Sequence, residues 1–296
     1  MTHGCFHGIR RRLVLLSLLL VLCLALSSCS FSLESMLKEL KAYINGEEIS
    51  QPPADFVASR ENDEFAYDVY KTYVVITAYL GEDVEVKIPK KIDDTPVKVI
   101  AGLAFYESVE VESVEVPEGV TTLEDNAFYY CKSLKSVSLP ESLETVGDKA
   151  FSWCSSLESI YLPDSITVIP DYCFNECTAL KYVVCSDRLA KVGARAFSGC
   201  ASLESLSFGD KLSFLGNYAF RGCVALKSVI LPGNCIPEEN AFADRGEGLY
   251  VVTQPDSPCW VVCTEREIPV SESVAVEIPD DTSSDDTEDT ETSEEI

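Results

Sequence analysis

The chain has 296 residues, 46% of them hydrophobic, enough for a sizeable core and one or two domains. Its 49 acidic and 23 basic side chains leave a net charge of −26. A surface that negative disfavours charge-driven binding to nucleic acid or to bare anionic lipid headgroups. In chain order, the first feature is a positive cluster, Arg10 to Arg12, followed by an apolar run from Leu13 to Leu26. A spanning helix needs about 20 apolar residues, so this shorter run reads as the hydrophobic region of a cleaved secretory leader.

The run closes on Leu26-Ser27-Ser28-Cys29, which resembles the bacterial lipobox, a small residue ahead of an obligatory cysteine. That resemblance implies that residues 1–28 are removed and that Cys29 becomes a lipidated N-terminus. An incidental cysteine after an ordinary leader is the plainer alternative. Losing Arg10 to Arg12 leaves 20 basic against 49 acidic side chains, a net charge of −29. Residues 29–66 are expected to form a tether. Within it Leu33, Met36, Leu37 and Leu40 are spaced for one short amphipathic helix.

From residue 104 a repeat dominates. Phe105, Phe128, Phe151, Phe174, Phe197 and Phe220 recur every 23 residues, and Phe242 follows one residue early. Three residues after five of them stand Cys131, Cys154, Cys177, Cys200 and Cys223. Six residues after them stand Val111, Leu134, Leu157, Leu180, Leu203 and Leu226. Alternating stretches such as Ser136-Val137-Ser138-Leu139 read as half-buried strands, and Pro117, Pro140, Pro163 and Pro232 close four of them. One such unit cannot bury its apolar set alone, but stacked units share a continuous core. A period of 23 lies in the leucine-rich-repeat range. The expected fold is therefore a β-rich repeat solenoid, with a parallel sheet on a concave face and short helical or 3-10 turns opposite.

The pattern Ala-Phe-x-x-Cys-x-x-Leu-x-x-Val-x-Leu-Pro resembles the BspA-type leucine-rich repeats of bacterial surface proteins. The likeness reaches upstream over Tyr73–Phe105, similar to that family's N-terminal cap, and downstream over Ser257 to Pro269, similar to its closing helix. The expected organisation is a cap over 67–100, a solenoid over 101–250 and a closing cap over 251–269. Residues 270–296, nearly all Ser, Thr, Asp, Glu and Pro, are expected to form a disordered acidic tail. What the resemblance implies is a surface-displayed adhesion or protein-binding protein, with the ligand left open.

The only histidines, His3 and His7, lie in the leader, so the mature chain lacks imidazole for triad catalysis or for metal binding. No enzyme activity, cofactor or metal is expected. The repeat cysteines read as reduced, buried packing thiols rather than inter-rung disulfides or a zinc site, since ligands in a line do not make a tetrahedron. Outward strand positions form the candidate ligand face: Ser136, Ser138, Ser159, Tyr161, Tyr182, Val184, Ser205 and Ser207. Tyr161, Tyr182 and Val184 would be its aromatic-aliphatic centre, a composition favoured at binding hot spots, although tyrosine also suits an ordinary exposed strand. Beside this face Glu112, Lys135, Glu158, Lys181, Glu204 and Lys227 alternate in sign, and an ion pair is expected at every step. The reading is an extracytoplasmic, surface-exposed binding lipoprotein held to the membrane by lipid on Cys29 alone. A host or envelope protein is the expected partner and a glycan the second choice. The competing reading is a structural spacer presenting the acidic tail.

Overall fold

The computed structural model describes residues 53–272. The leader, Cys29, the amphipathic stretch at Leu33–Leu40 and nearly all of the acidic tail lie outside the described residues. Six strands open the described chain: β1 (Phe56–Glu61), β2 (Phe65–Tyr70), β3 (Val74–Tyr79), β4 (Glu85–Lys87), β5 (Lys91–Ile92) and β6 (Thr95–Ile100). The first three pair antiparallel as a meander, and β3 then pairs parallel with β6. Sheet structure thus begins at Phe56, inside the segment expected as tether through residue 66. Most of the side chains of β1 are exposed and its contacts are peripheral, such as the Phe56 ring on Tyr70 and Arg60 on Asp93, so no hydrophobic alternation announces it.

Each 23-residue coil then contributes two strands. The first coil carries β7 (Ser113–Glu115) and β8 (Thr122–Leu123), and the next β9 (Ser136–Ser138) and β10 (Thr145–Val146). Then come β11 (Ser159–Tyr161) and β12 (Val168–Ile169), followed by β13 (Tyr182–Val184) and β14 (Lys191–Val192). After them stand β15 (Ser205–Ser207), β16 (Phe214–Leu215), β17 (Ser228–Ile230), β18 (Ile236–Pro237) and β19 (Tyr250–Val252). Helix α1 (Pro258–Glu265) and β20 (Val270–Ser271) close the column. The result is a parallel β-solenoid of about 9 turns. Equivalent residues pair in register, Ser113 with Ser136 and Ser205 with Ser228. Three-residue strands build one face. The two-residue strands build a second, narrower ladder that the sequence pattern had not singled out.

Tight i to i+3 turns fill the rest of each coil, as where the Tyr129 and Cys131 amides donate to the Asn126 and Phe128 carbonyls. Two columns in these turns are left-handed. Leu103, Asn126, Lys149, Tyr172, Arg195 and Tyr218 stand two residues before each phenylalanine, and Glu107, Tyr130, Trp153 and Glu176 two after. Gly199 and Gly222 continue the second column, where glycine carries no steric cost.

The core is a stack of rings. Phe105 lies on Tyr79, and each later phenylalanine on the one before, with centroids 4.8–5.6 Å apart. Burying one such ring contributes about 1.5–3 kcal/mol. The cysteine column does more than fill space. Cys131 Sγ donates to the Phe105 carbonyl one turn back at 2.9 Å. Cys154, Cys177, Cys200 and Cys223 repeat the bond to Phe128, Phe151, Phe174 and Phe197 at 3.1–3.2 Å. The same carbonyls accept an amide within their own turn, such as Cys131 N on Phe128 O. Each therefore uses both lone pairs. Burial pushes the Cys154, Cys177 and Cys200 thiols up, and Cys223 to about 12, which keeps them protonated as donors. All ten described cysteines are free thiols.

A second ladder runs along the turn face. Asp125 Oδ1 accepts the Asp148 amide at 2.8 Å, Asp148 the Asp171 amide at 3.1 Å, and Asp171 the Ala194 amide at 2.8 Å. Desolvation, then repulsion from Asp125 and Asp171, raises the Asp148 pKa. An acid raised in the fold opposes folding when ionised. That penalty is absent below the unfolded pKa and grows as pH rises through the folded value. Asn217 occupies the same column and still accepts its neighbour's amide, from Asn240 at 3.2 Å. Asp148→Asn is therefore expected to raise the thermal midpoint at pH 7. The gain should fade as the pH approaches about 3.9, where the native carboxylate is neutralised; unfolding scans across pH check both parts.

Candidate binding face

The strand alternation sets which side chains this face presents. Ser136 and Ser138 flank buried Val137, Ser159 and Tyr161 flank Ile160, and Ser205 and Ser207 flank Leu206. Tyr182 and Val184 flank Val183. All eight predicted face residues are exposed, and among the three large ones Tyr182 leads at 69%, with Val184 at 53% and Tyr161 at 47%. Tyr182 pairs with Ser159 and Val184 with Tyr161, so the three large side chains share two adjacent strands. Neither tyrosine hydroxyl has a partner among the described residues.

The ladder beneath them is discontinuous. Strands β4, β7 and β9 pair as one group, β11 and β13 as a second, and β15, β17, β19 and β20 as a third. The aromatic patch thus occupies an isolated two-strand segment. Its floor is also looser. Val183 and Cys185 are only half-buried, whereas Ile160 and Leu206, the equivalents of Val183, are each 3% exposed. Cys185 stands where other turns place Leu139, Leu162, Phe208 and Leu231, and Ser186 where four place proline. The thiol is smaller than those side chains and fills less of the space beneath the strand.

Toward the N-terminal cap the face becomes a groove whose polar wall includes Glu85, Lys87, Ser113, Glu115, Ser138 and Tyr161. Lys87 Nζ lies 3.6 Å from Glu115 across the groove floor. Glu85 and Lys87 were missing from the sequence-based face because they precede the first recognisable unit. A signal for them exists: Glu85-Val86-Lys87-Ile88-Pro89 has the form of Ser113-Val114-Glu115-Val116-Pro117, and β4 pairs with β7 on that register. The off-period spacing hid it.

The alternating charge row needs correction. Lys135 meets Glu112 at 2.8 Å, but among the described residues no other step of the row closes within ion-pair distance. Those later side chains are exposed and gain little by giving up rotamer freedom to pair. No group of three or more metal-ligating side chains is brought together among the described residues.

Residues 98–227 match the BspA type leucine rich repeat region in six copies. The repeat region belongs to the BspA-type leucine-rich repeats. The likeness extends to solved structures, including a leucine-rich repeat protein from Eubacterium ventriosum at TM-score 0.56 and 24% identity, over 67% of this chain and 52% of that one. This chain therefore spans about half the length of that structure. The T. pallidum leucine rich repeat protein is 24% identical over 73% of this chain and 98% of its own, at TM-score 0.45. The pneumococcal vaccine antigen PcpA is 19% identical over 73% of this chain and 48% of its own, at TM-score 0.48. At such identities the likeness is one of fold. No curated protein matches the chain in sequence.

Within the BspA-type column, Cys185 stands in a turn whose strand interior is only half-buried. Restoring the aliphatic side chain with Cys185→Leu should cover Val183 and stabilise the protein by about 0.5–2 kcal/mol, as cavity-filling substitutions do. Denaturant unfolding measures the gain, and a loss of stability would show that no space exists there.

Proposed function

We propose that this chain is an extracytoplasmic, lipid-anchored binding module with no enzyme activity, whose protein ligand docks on the broad sheet at Tyr161, Tyr182 and Val184. The observation that carries this reading is the grouping of three large exposed side chains on the adjacent strands β11 and β13, between the serine-lined strands β9 and β15. Tyrosines on a rigid strand offer wide contact area at low entropic cost, and hot spots gather near the centre of an interface. The flanking serines Ser136, Ser138, Ser159, Ser205 and Ser207 are small enough to let a partner approach the backbone and adaptable as hydrogen-bonding groups. Loose packing under Tyr182 supports the same reading, because binding sites are where proteins set aside optimal local packing. A host or envelope protein fits such a surface better than a glycan does. The strong negative charge speaks against a nucleic acid.

Two measurements test the proposal. Purified protein is immobilised and probed with extracellular-matrix, host-cell and envelope protein fractions, and the captured species is titrated against Tyr161→Ala/Tyr182→Ala. Loss of a hot spot of at least 2 kcal/mol corresponds to roughly a 30-fold weakening or more. The thermal midpoint should barely move, since both rings are largely solvated. Undiminished capture by the double variant would remove the patch from the interface. Anchoring is read separately: Cys29→Ser should shift the protein from the detergent phase to the aqueous phase, and retention in detergent would refute lipidation at that residue.

A further inference from the structure

The C-terminal end of the column carries three thiols that the repeat does not explain. Cys235 stands where earlier turns place Val120, Leu143, Ile166, Leu189 and Leu212, all aliphatic core positions. Cys259 and Cys263 are the two buried residues of α1, one turn apart on the side that faces the last coil. All three are 0% exposed. The Cys259 amide donates to the Gly233 carbonyl at 2.9 Å, which pins the first turn of α1 against the bend that holds Cys235. Unlike the five thiols of the repeat column, none of these three donates to a backbone carbonyl among the described residues. Each instead lies close enough to another for their charges to interact, Cys235 with Cys259 and Cys259 with Cys263. Near the closing helix the Thr253 hydroxyl is 1% exposed and has no hydrogen-bond partner among the described residues.

We propose that Cys235 and Cys259 are a disulfide-forming pair that latches the closing helix onto the last coil. Any aliphatic side chain would fill these positions as well, so sulfur calls for a chemical reason. Cys259 suits the attacking role. The neighbouring Cys263 thiol holds its pKa below the ordinary thiol value in spite of burial. Its place in the first turn of an eight-residue helix adds the favourable end of the helix dipole. Cys263 is pushed far up and stays protonated, a donor to the thiolate rather than a rival for it. Bridging Cys259 to Cys263 is disfavoured by helix geometry. Residues four apart hold their Cβ atoms about 5–6 Å from each other, against the ~3.8 Å of a relaxed disulfide. Cys235 comes from a separate segment and is free of that constraint.

The chemistry is thiol–disulfide exchange with a small-molecule disulfide such as glutathione disulfide, or with an oxidised thiol oxidoreductase. The Cys259 thiolate attacks one sulfur and expels one thiolate, leaving a mixed disulfide. Burial, then Cys259, pushes the Cys235 thiol to about 12 while α1 is closed, so Cys235 gives up its proton to solvent as the helix opens, attacks Cys259 Sγ and expels the second thiolate. The protein loses two protons and two electrons, and one disulfide becomes two thiols. Because α1 is the terminal helix of the column, its local opening gives the oxidant access without unfolding the coils.

The test treats the intact protein with glutathione disulfide, alkylates remaining thiols under denaturing conditions and maps linked peptides by mass spectrometry. One Cys235–Cys259 link is expected, while Cys131, Cys154, Cys177, Cys200 and Cys223 remain alkylatable. Cys259→Ser should abolish the link, and Cys263→Ser should retain it with slower formation. Absence of any link after extended oxidation, a Cys259–Cys263 link, or loss of the link in Cys263→Ser would each overturn the assignment.

Discussion

A buried carbonyl with two lone pairs sets the terms for every turn of this protein. The oxygen of each repeat phenylalanine accepts one amide from its own turn, and in five turns it also accepts a thiol from the next. A carbonyl left half-paired in a water-free column would carry a desolvation cost. The thiol is the one small side chain that both packs as an apolar group and donates a weak hydrogen bond. The ring attached to the same residue stacks on its predecessor, so ring and carbonyl fix the rise and the phase of the next coil together. Left-handed residues on either side of the phenylalanine follow from that closure. The chain must reverse twice in a few residues to return the next ring to the axis, and even Tyr172 and Trp153 accept positive φ to do so.

With the interior so constrained, the outward positions of the strands are free to vary. Serine fills most of them, and the large side chains collect on β11 and β13. The same segment is where the ladder of the broad sheet breaks on both sides and where Cys185 replaces a larger residue. Strong stacking elsewhere lets one turn be loosely packed without loss of the column, because each coil depends mainly on its immediate neighbours. The acidic surface acts differently. Its negative charge disfavours anionic partners but contributes little to register, as the single closed step of the alternating row illustrates.

Both ends of the column solve the problem of an exposed core in their own way. At the start, Tyr79 takes the place of a repeat phenylalanine under Phe105, and the β1–β3 meander pairs the edge that the first coil would leave open. At the finish, α1 lies against the last coil and β20 extends the broad sheet by one strand. The aliphatic column that runs from Val120 to Leu212 ends there in Cys235, facing the helix. The terminal contact differs in chemistry from every internal one.

The period, the phenylalanine, cysteine and leucine columns, and the outward row of the strands were all legible in the sequence, because a repeat makes each local choice visible several times over. Ser136–Ser138 and Tyr182–Val184 are strands where the alternation places them. The start of the sheet at Phe56, the break in the ladder beside Tyr182 and the approach of Cys259 to the bend before Cys235 were decided only by the folded column. Each of these occurs once, at a cap or a seam, where no second copy reveals the pattern. Periodicity specifies which side chains share a line, whereas only tertiary packing decides which lines touch and where they part.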